Sequence, residues 1–182
     1  MKQIPKYVAL LRAINVGGHT VKMDQLRSLF SALGFSNVET LIASGNVIFE
    51  STSRSSRTLE RKIEGSLVAA LGYEVLTFVR SMPELAAVAN YKPFPVEELN
   101  AEGHVLYIGF MTASPDGAAK QKLMTFATNL DAFHFKDREL YWLRRGRSSV
   151  SELSGARLER VLGMPATLRN ATTVRKIAAK YA

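Results

Sequence analysis

A near-continuous apolar run opens at Tyr7 and stops at Arg12, the pattern of an inner strand covered on at least one face. A polar turn with Asn15, Gly17 and Gly18 follows. Met23, Leu26, Leu29, Phe30 and Leu33 then recur at three- and four-residue spacing, which predicts an amphipathic helix closed by Gly34. Val38–Ile42 and Val47–Phe49 read as two strands joined through Ala-Ser-Gly-Asn, with Gly45 and Asn46 at the centre of a tight hairpin. Leu59, Ile63, Leu67 and Leu71 form the next helical stripe, ended by Gly72, and Glu74–Val79 supplies a fourth strand. The order is βαββαβ.

Between residues 81 and 103 the pattern changes to a short helix, Pro83–Asn90, and then Tyr-Lys-Pro-Phe-Pro, whose prolines mark a linker. The order then starts again. Val105–Met111 is rich in strand formers, and Ser114-Pro115-Asp116 has the form of an N-cap, a first-turn proline and an acid ahead of a helix carrying Leu123, Phe126, Ala127 and Leu130. Phe133–Phe135 and Leu140–Leu143 pair across a polar turn. Ser149 and Glu152 have capping-box spacing for a helix with Leu153, Leu158, Val161 and Leu162. A short strand near Ala166–Leu168 and a terminal helix with Val174, Ile177, Ala178 and Tyr181 complete the chain.

This repetition predicts an α+β protein of two tandem ferredoxin-like subdomains, 1–80 and 104–182, with antiparallel sheets, an 81–103 linker and an extra C-terminal helix. One larger mixed sheet is the alternative. In each unit the first and second strands run the same way with the third between them. The turn after strand one and the hairpin after strand two must then emerge at one edge. That edge gathers Asn15, Gly17 and Gly18 with Ser44, Gly45 and Asn46, and Gly72 arrives there as well.

Composition narrows the chemistry. With 182 residues, 47% hydrophobic and 22% charged, the chain reads as globular, with core enough for one large or two small domains. It has no run of about 18 apolar residues, and its start lacks the apolar core of a signal peptide, so a cytoplasmic, non-membrane protein is the expectation. The lack of cysteine excludes disulfides and thiolate chemistry, and His19, His104 and His134 are too scattered for a zinc motif. No metal and no cofactor are assigned, although carboxylate-held magnesium stays open. The net charge of +8 is uneven: residues 1–80 hold ten Lys/Arg and six Asp/Glu, 81–135 three and six, and 136–182 eleven and four. Arg144, Arg145 and Arg147 crowd a turn in that last, basic quarter, and Arg169, Arg175 and Lys176 flank a helix start. Such a patch draws in polyanions, and a solvated basic face is the competing reading.

Leu-Leu-Arg-Ala-Ile-Asn-Val-Gly-Gly, Ala-Ser-Gly-Asn-Val-Ile-Phe, Lys-Pro-Phe-Pro and Leu-Arg-Asn-Ala-Thr-Thr-Val-Arg-Lys together resemble the uncharacterised bacterial family named domain of unknown function 1697. The resemblance implies a small cytoplasmic protein of two ferredoxin-like subdomains with no established activity. Family members often carry an aromatic residue in the last motif, where this chain has Ala171.

The candidate ligand-binding set is Arg12, Asn15, Gly17, Gly18, Ser44, Gly45 and Asn46 at the shared edge, with Arg169, Thr172 and Thr173 at the last helix. The glycine turn matches the spacing of neither a P-loop nor a dinucleotide fingerprint, so it names no nucleotide. It reads either as a main-chain anion nest, with Arg12 or Lys22 adding charge, or as a connection in which Asn15 bonds its own turn. Near the last helix, Arg169 and free N–H groups can hold a phosphate, or Asn170, Thr172 and Thr173 can simply cap. Aromatics at 106–110 and 140–143 lie where RNA-recognition domains stack bases, and core packing or subdomain packing is the favoured explanation. Three functions stand: a binding module for a phosphate-bearing ligand, nucleotide or nucleic acid; a small-molecule enzyme with its site between the subdomains, suggested by Arg12, Asn15 and His19; and a protein-interaction scaffold. Oligomeric state is not legible.

Overall fold

The fold was obtained as a computed structural model and is described for residues 3–41, 45–146 and 153–182. By internal contacts the chain divides into two units, Met1–Ala86 with Ile177–Ala182, and Ala87–Lys176. The two-subdomain α+β architecture predicted from the repeating pattern is the one observed.

In the first unit β1 (Lys6–Leu11), α1 (Met23–Ala32), β2 (Ser36–Leu41), β3 (Asn46–Glu50), α2 (Ser56–Leu71) and β4 (Thr77–Ser81) build an antiparallel sheet of order β2-β3-β1-β4. Tyr7, Ala9 and Leu11 of β1 and Val47 and Phe49 of β3 point to one face, where the helices deliver Leu26, Phe30, Leu59, Ile63 and Leu67. Stacked Phe35 and Phe49, with centroids 4.5 Å apart, anchor that core, and each such fully buried aromatic contributes about 1.5–3 kcal/mol. Val8, Leu10, Ile48 and Phe78 on the opposite face are buried too, which is why these strands read as unbroken apolar runs.

Helix limits follow local chemistry. The Ser55 hydroxyl accepts from the Thr58 N–H at 3.2 Å to start α2, and Gly72, at φ +79°, ends it by donating its N–H to the Val68 carbonyl at 2.9 Å. The outward N–H groups of edge strand β4 are closed by carboxylates. Thr77 and Val79 donate to Glu64 at 2.9 Å and to Glu60 at 3.0 Å, and Ser81 donates to Glu84 of α3 (Met82–Asn90) at 2.8 Å.

The second unit repeats the scheme with β5 (Val105–Phe110), α5 (Gly117–Met124), β6 (Asp131–Lys136), β7 (Glu139–Arg144), α6 (Gly155–Leu162) and β8 (Thr167–Asn170), in the order β6-β7-β5-β8. The 81–103 segment holds α3 and a single turn, α4 (Val96–Leu99), and α7 (Ala171–Tyr181) ends the chain. Phe133, Leu140 and Trp142 meet Leu123, Leu158 and Leu162 in this unit's core. The Trp142 indole donates to Asp131 at 2.7 Å. Of the inner-strand aromatics, Phe110, Tyr141 and Trp142 are buried and Tyr107 is half-buried.

Two local expectations are corrected. Asn46 is not a turn residue: Leu41 pairs with it, so the β2–β3 connection spans 42–45. Asp116, not Ser114, caps α5, because its carboxylate accepts the Ala119 N–H at 2.8 Å. Ser154 caps α6, with the Arg157 N–H donating to its hydroxyl at 3.2 Å. The capping box read at Ser149 and Glu152 lies outside the described residues, as does Ser44.

Candidate functional site

Because β1 and β2 both run antiparallel to β3, they point the same way, and the loops that follow them leave at one edge of the first unit. Three loops meet there. The Leu11 N–H donates to the Gly45 carbonyl at 2.8 Å, and the Arg12 N–H to the Leu76 carbonyl at 2.8 Å, tying the start of the β1–α1 turn to its neighbours on both sides. Gly45 sits at φ +75° so close to Leu11 and Ile14 that an added Cβ would be 3.1 Å from each side chain.

The β1–α1 turn is held from inside as well as from below. The Asn15 side-chain oxygen accepts the Val21 N–H at 2.7 Å, which closes the segment into a ring. Asn15 is therefore a strut of the turn, the role the connective reading gave it. From the α2–β4 loop, the Tyr73 hydroxyl donates to the Ile14 carbonyl at 3.0 Å. Its ring stacks on His19, centroids 3.8 Å apart and planes 20° apart.

Gly17 and Gly18, at φ +69° and +85°, occupy the crest of this turn with open space around both. Their amides have no partner among the described residues, whereas Asn15, Tyr73 and Gly45 fix the backbone on either side. Half-buried Arg12 and exposed Lys22 bracket the turn with positive charge. Asp24, in the first turn of α1, pairs with Arg27, and Lys22 at the N-cap position makes no side-chain capping hydrogen bond.

Asn46 is 1% exposed and donates its side-chain amide to the Leu41 carbonyl at 3.2 Å, so it locks the hairpin instead of facing a ligand. Arg169, in the second unit, is 9% exposed, with its guanidinium donating to the Thr167 hydroxyl at 2.8 Å and the Leu168 carbonyl at 3.0 Å. Burial pulls its pKa down to about 10. It is a buried cation held by groups of its own strand. The Asn170 side chain accepts the Thr172 N–H at 2.8 Å and caps α7, which leaves Thr172 exposed and Thr173 half-buried without a direct part in capping.

Tyr73 was not legible as part of this site. A lone tyrosine after a helix-ending glycine carries no periodic signal, and only the convergence of loops gives it a partner. Among the described residues no group of three or more His, Asp or Glu side chains could hold a metal ion, and no helix is long and apolar enough to cross a membrane.

The chain matches the family described as Protein of unknown function (DUF1697) over residues 4–141. It belongs to that family. The DUF1697 match takes in the glycine turn, the β2–β3 hairpin and Tyr73, and ends before Arg169 and the last helix. A solved structure, that of the conserved bacterial protein SP0830 from Streptococcus pneumoniae, is similar with a TM-score of 0.72 at 23% identity, covering 98% of each chain. That likeness concerns the fold. No curated protein matches this DUF1697 chain.

Proposed function

We propose that this protein is a binding module for a phosphate-bearing ligand, a nucleotide or a nucleic acid, held at the β1–α1 turn. One observation carries the reading: two consecutive left-handed glycines present amides that nothing among the described residues uses, on a turn tied by Asn15 from within and by two neighbouring loops. Main-chain amides already ordered in this way bind an anion without further loss of conformational freedom. Arg12 and Lys22 at the two ends of the turn supply charge of the matching sign.

Trp142 and Tyr141, the aromatics of β7, are buried and so give a base no face to stack on. Recognition on this reading is of the phosphate first. Calorimetric titration with tripolyphosphate, ATP and single-stranded RNA at about 50 and about 200 mM salt tests it. Binding at low salt that weakens with salt, and weakens again in Lys22→Ala and in Gly18→Ala, is the expected result. Absence of binding at low salt, or affinities untouched by both substitutions, would overturn the reading.

A further inference from the structure

We infer that the stacked His19 and Tyr73 rings are a shelf for a nucleobase, and that the ligand of the glycine turn is a nucleotide and not a bare polyphosphate. The inference rests on the phosphate reading above and names what lies beyond the phosphate. The two rings are nearly parallel, 20° apart with centroids at 3.8 Å, so Tyr73 covers one face of the imidazole. His19 is exposed, so its other face is turned to solvent. The shelf is rigid: the Tyr73 hydroxyl is pinned to the Ile14 carbonyl at 3.0 Å, and the His19 N–H reaches the Val16 carbonyl at 3.4 Å.

A flat aromatic face that is already ordered is what a base stacks on, and it does so with little discrimination because every base has a π-face. Its placement fits. His19 follows Gly18 directly, and successive Cα atoms are about 3.8 Å apart, so a nucleoside phosphate can lay its phosphate on the glycine amides and its base on the imidazole. Tripolyphosphate and adenosine each engage only half of such a site.

Calorimetry on the full chain with ATP, tripolyphosphate and adenosine decides the matter, repeated on His19→Ala and His19→Phe. Base stacking on an aromatic side chain corresponds to about fivefold or more in affinity. ATP is therefore expected to bind at least that much more tightly than tripolyphosphate. His19→Ala is expected to abolish the difference, and His19→Phe, which keeps a flat ring, to retain it. Equal affinities for ATP and tripolyphosphate, or an advantage that survives in His19→Ala, overturns the shelf and leaves the phosphate site standing. If neither ligand binds, both readings fall together.

Discussion

Gly45 and Gly18 share a left-handed backbone but stand in opposite surroundings, and their substitutions separate backbone strain from crowding. At Gly18 an added methyl meets nothing within 4 Å, so Gly18→Ala carries only the left-handed cost of about 1–2 kcal/mol. At Gly45 the same methyl lies 3.1 Å from Leu11 and Ile14, and crowding adds a further ~1–3 kcal/mol. Urea denaturation of the two variants should rank Gly45→Ala as clearly the less stable. A second residue-scale test is the Glu39 carboxylate, which accepts from the Tyr181 hydroxyl at 2.5 Å and faces the Lys180 ammonium at 3.4 Å. The hydrogen bond from Tyr181 first, and Lys180 after it, hold its pKa below the ordinary 4.5. A carboxylate depressed on folding contributes stability above its unfolded pKa and loses it as pH falls through the folded one. Glu39→Gln should thus lower the melting temperature near neutral pH and match the wild type in acid well below 4.5. Thermal melts across that range check it. None of these pairings was legible: Glu39 and Tyr181 are 142 positions apart, and Gly-Asn at 45–46 has the look of a turn dipeptide even though Asn46 is already strand.

At the scale of elements, edge strand β4 shows how a helix face can be misread. Glu60 and Glu64, one turn apart on α2, have the spacing of a solvated stripe, yet they close the N–H groups of Val79 and Thr77. Glu60 is only 2% exposed. Such carboxylates deny the edge to an incoming strand. Removing one leaves a buried donor unpaired, at about 1–3 kcal/mol. Glu60→Ala with Glu64→Ala should therefore speed amide exchange at Thr77 and Val79 and promote association in light scattering, whereas Glu60→Gln, which keeps an acceptor, should do neither to the same degree. The helices themselves were readable because Leu59, Ile63 and Leu67 recur with the helical period, and the strands because Tyr7–Leu11 forms an apolar run. The carboxylate caps were not, since they exist only once α2 lies beside β4.

For the molecule as a whole, the duplication runs deeper than element order. Each unit's last strand carries a buried arginine, Arg80 and Arg169, donating to the carbonyl of the residue before it at 2.9 and 3.0 Å. The next residue, Ser81 or Asn170, then caps a helix: the Ser81 hydroxyl accepts the Glu84 N–H at 3.4 Å and Asn170 accepts the Thr172 N–H at 2.8 Å. The sequence placed this repeat through periodicity and deduced from strand direction that the glycine loops share an edge, which they do. In the last quarter, Arg144 lies 3.7 Å from Asp131 and Arg145 bonds Glu98 at 2.6 Å. Polyanion binding by the exposed Arg160, Arg175 and Lys176 should consequently be weak, without base preference and steeply lost with salt. Filter binding of RNA to the triple alanine variant measures that share. The central claim, that the glycine crest grips a phosphate, is tested most directly by following backbone amide resonances while tripolyphosphate is added. Saturable shifts concentrated at Gly17 and Gly18 are predicted; shifts confined to the basic last quarter, with those two amides unmoved, would contradict it.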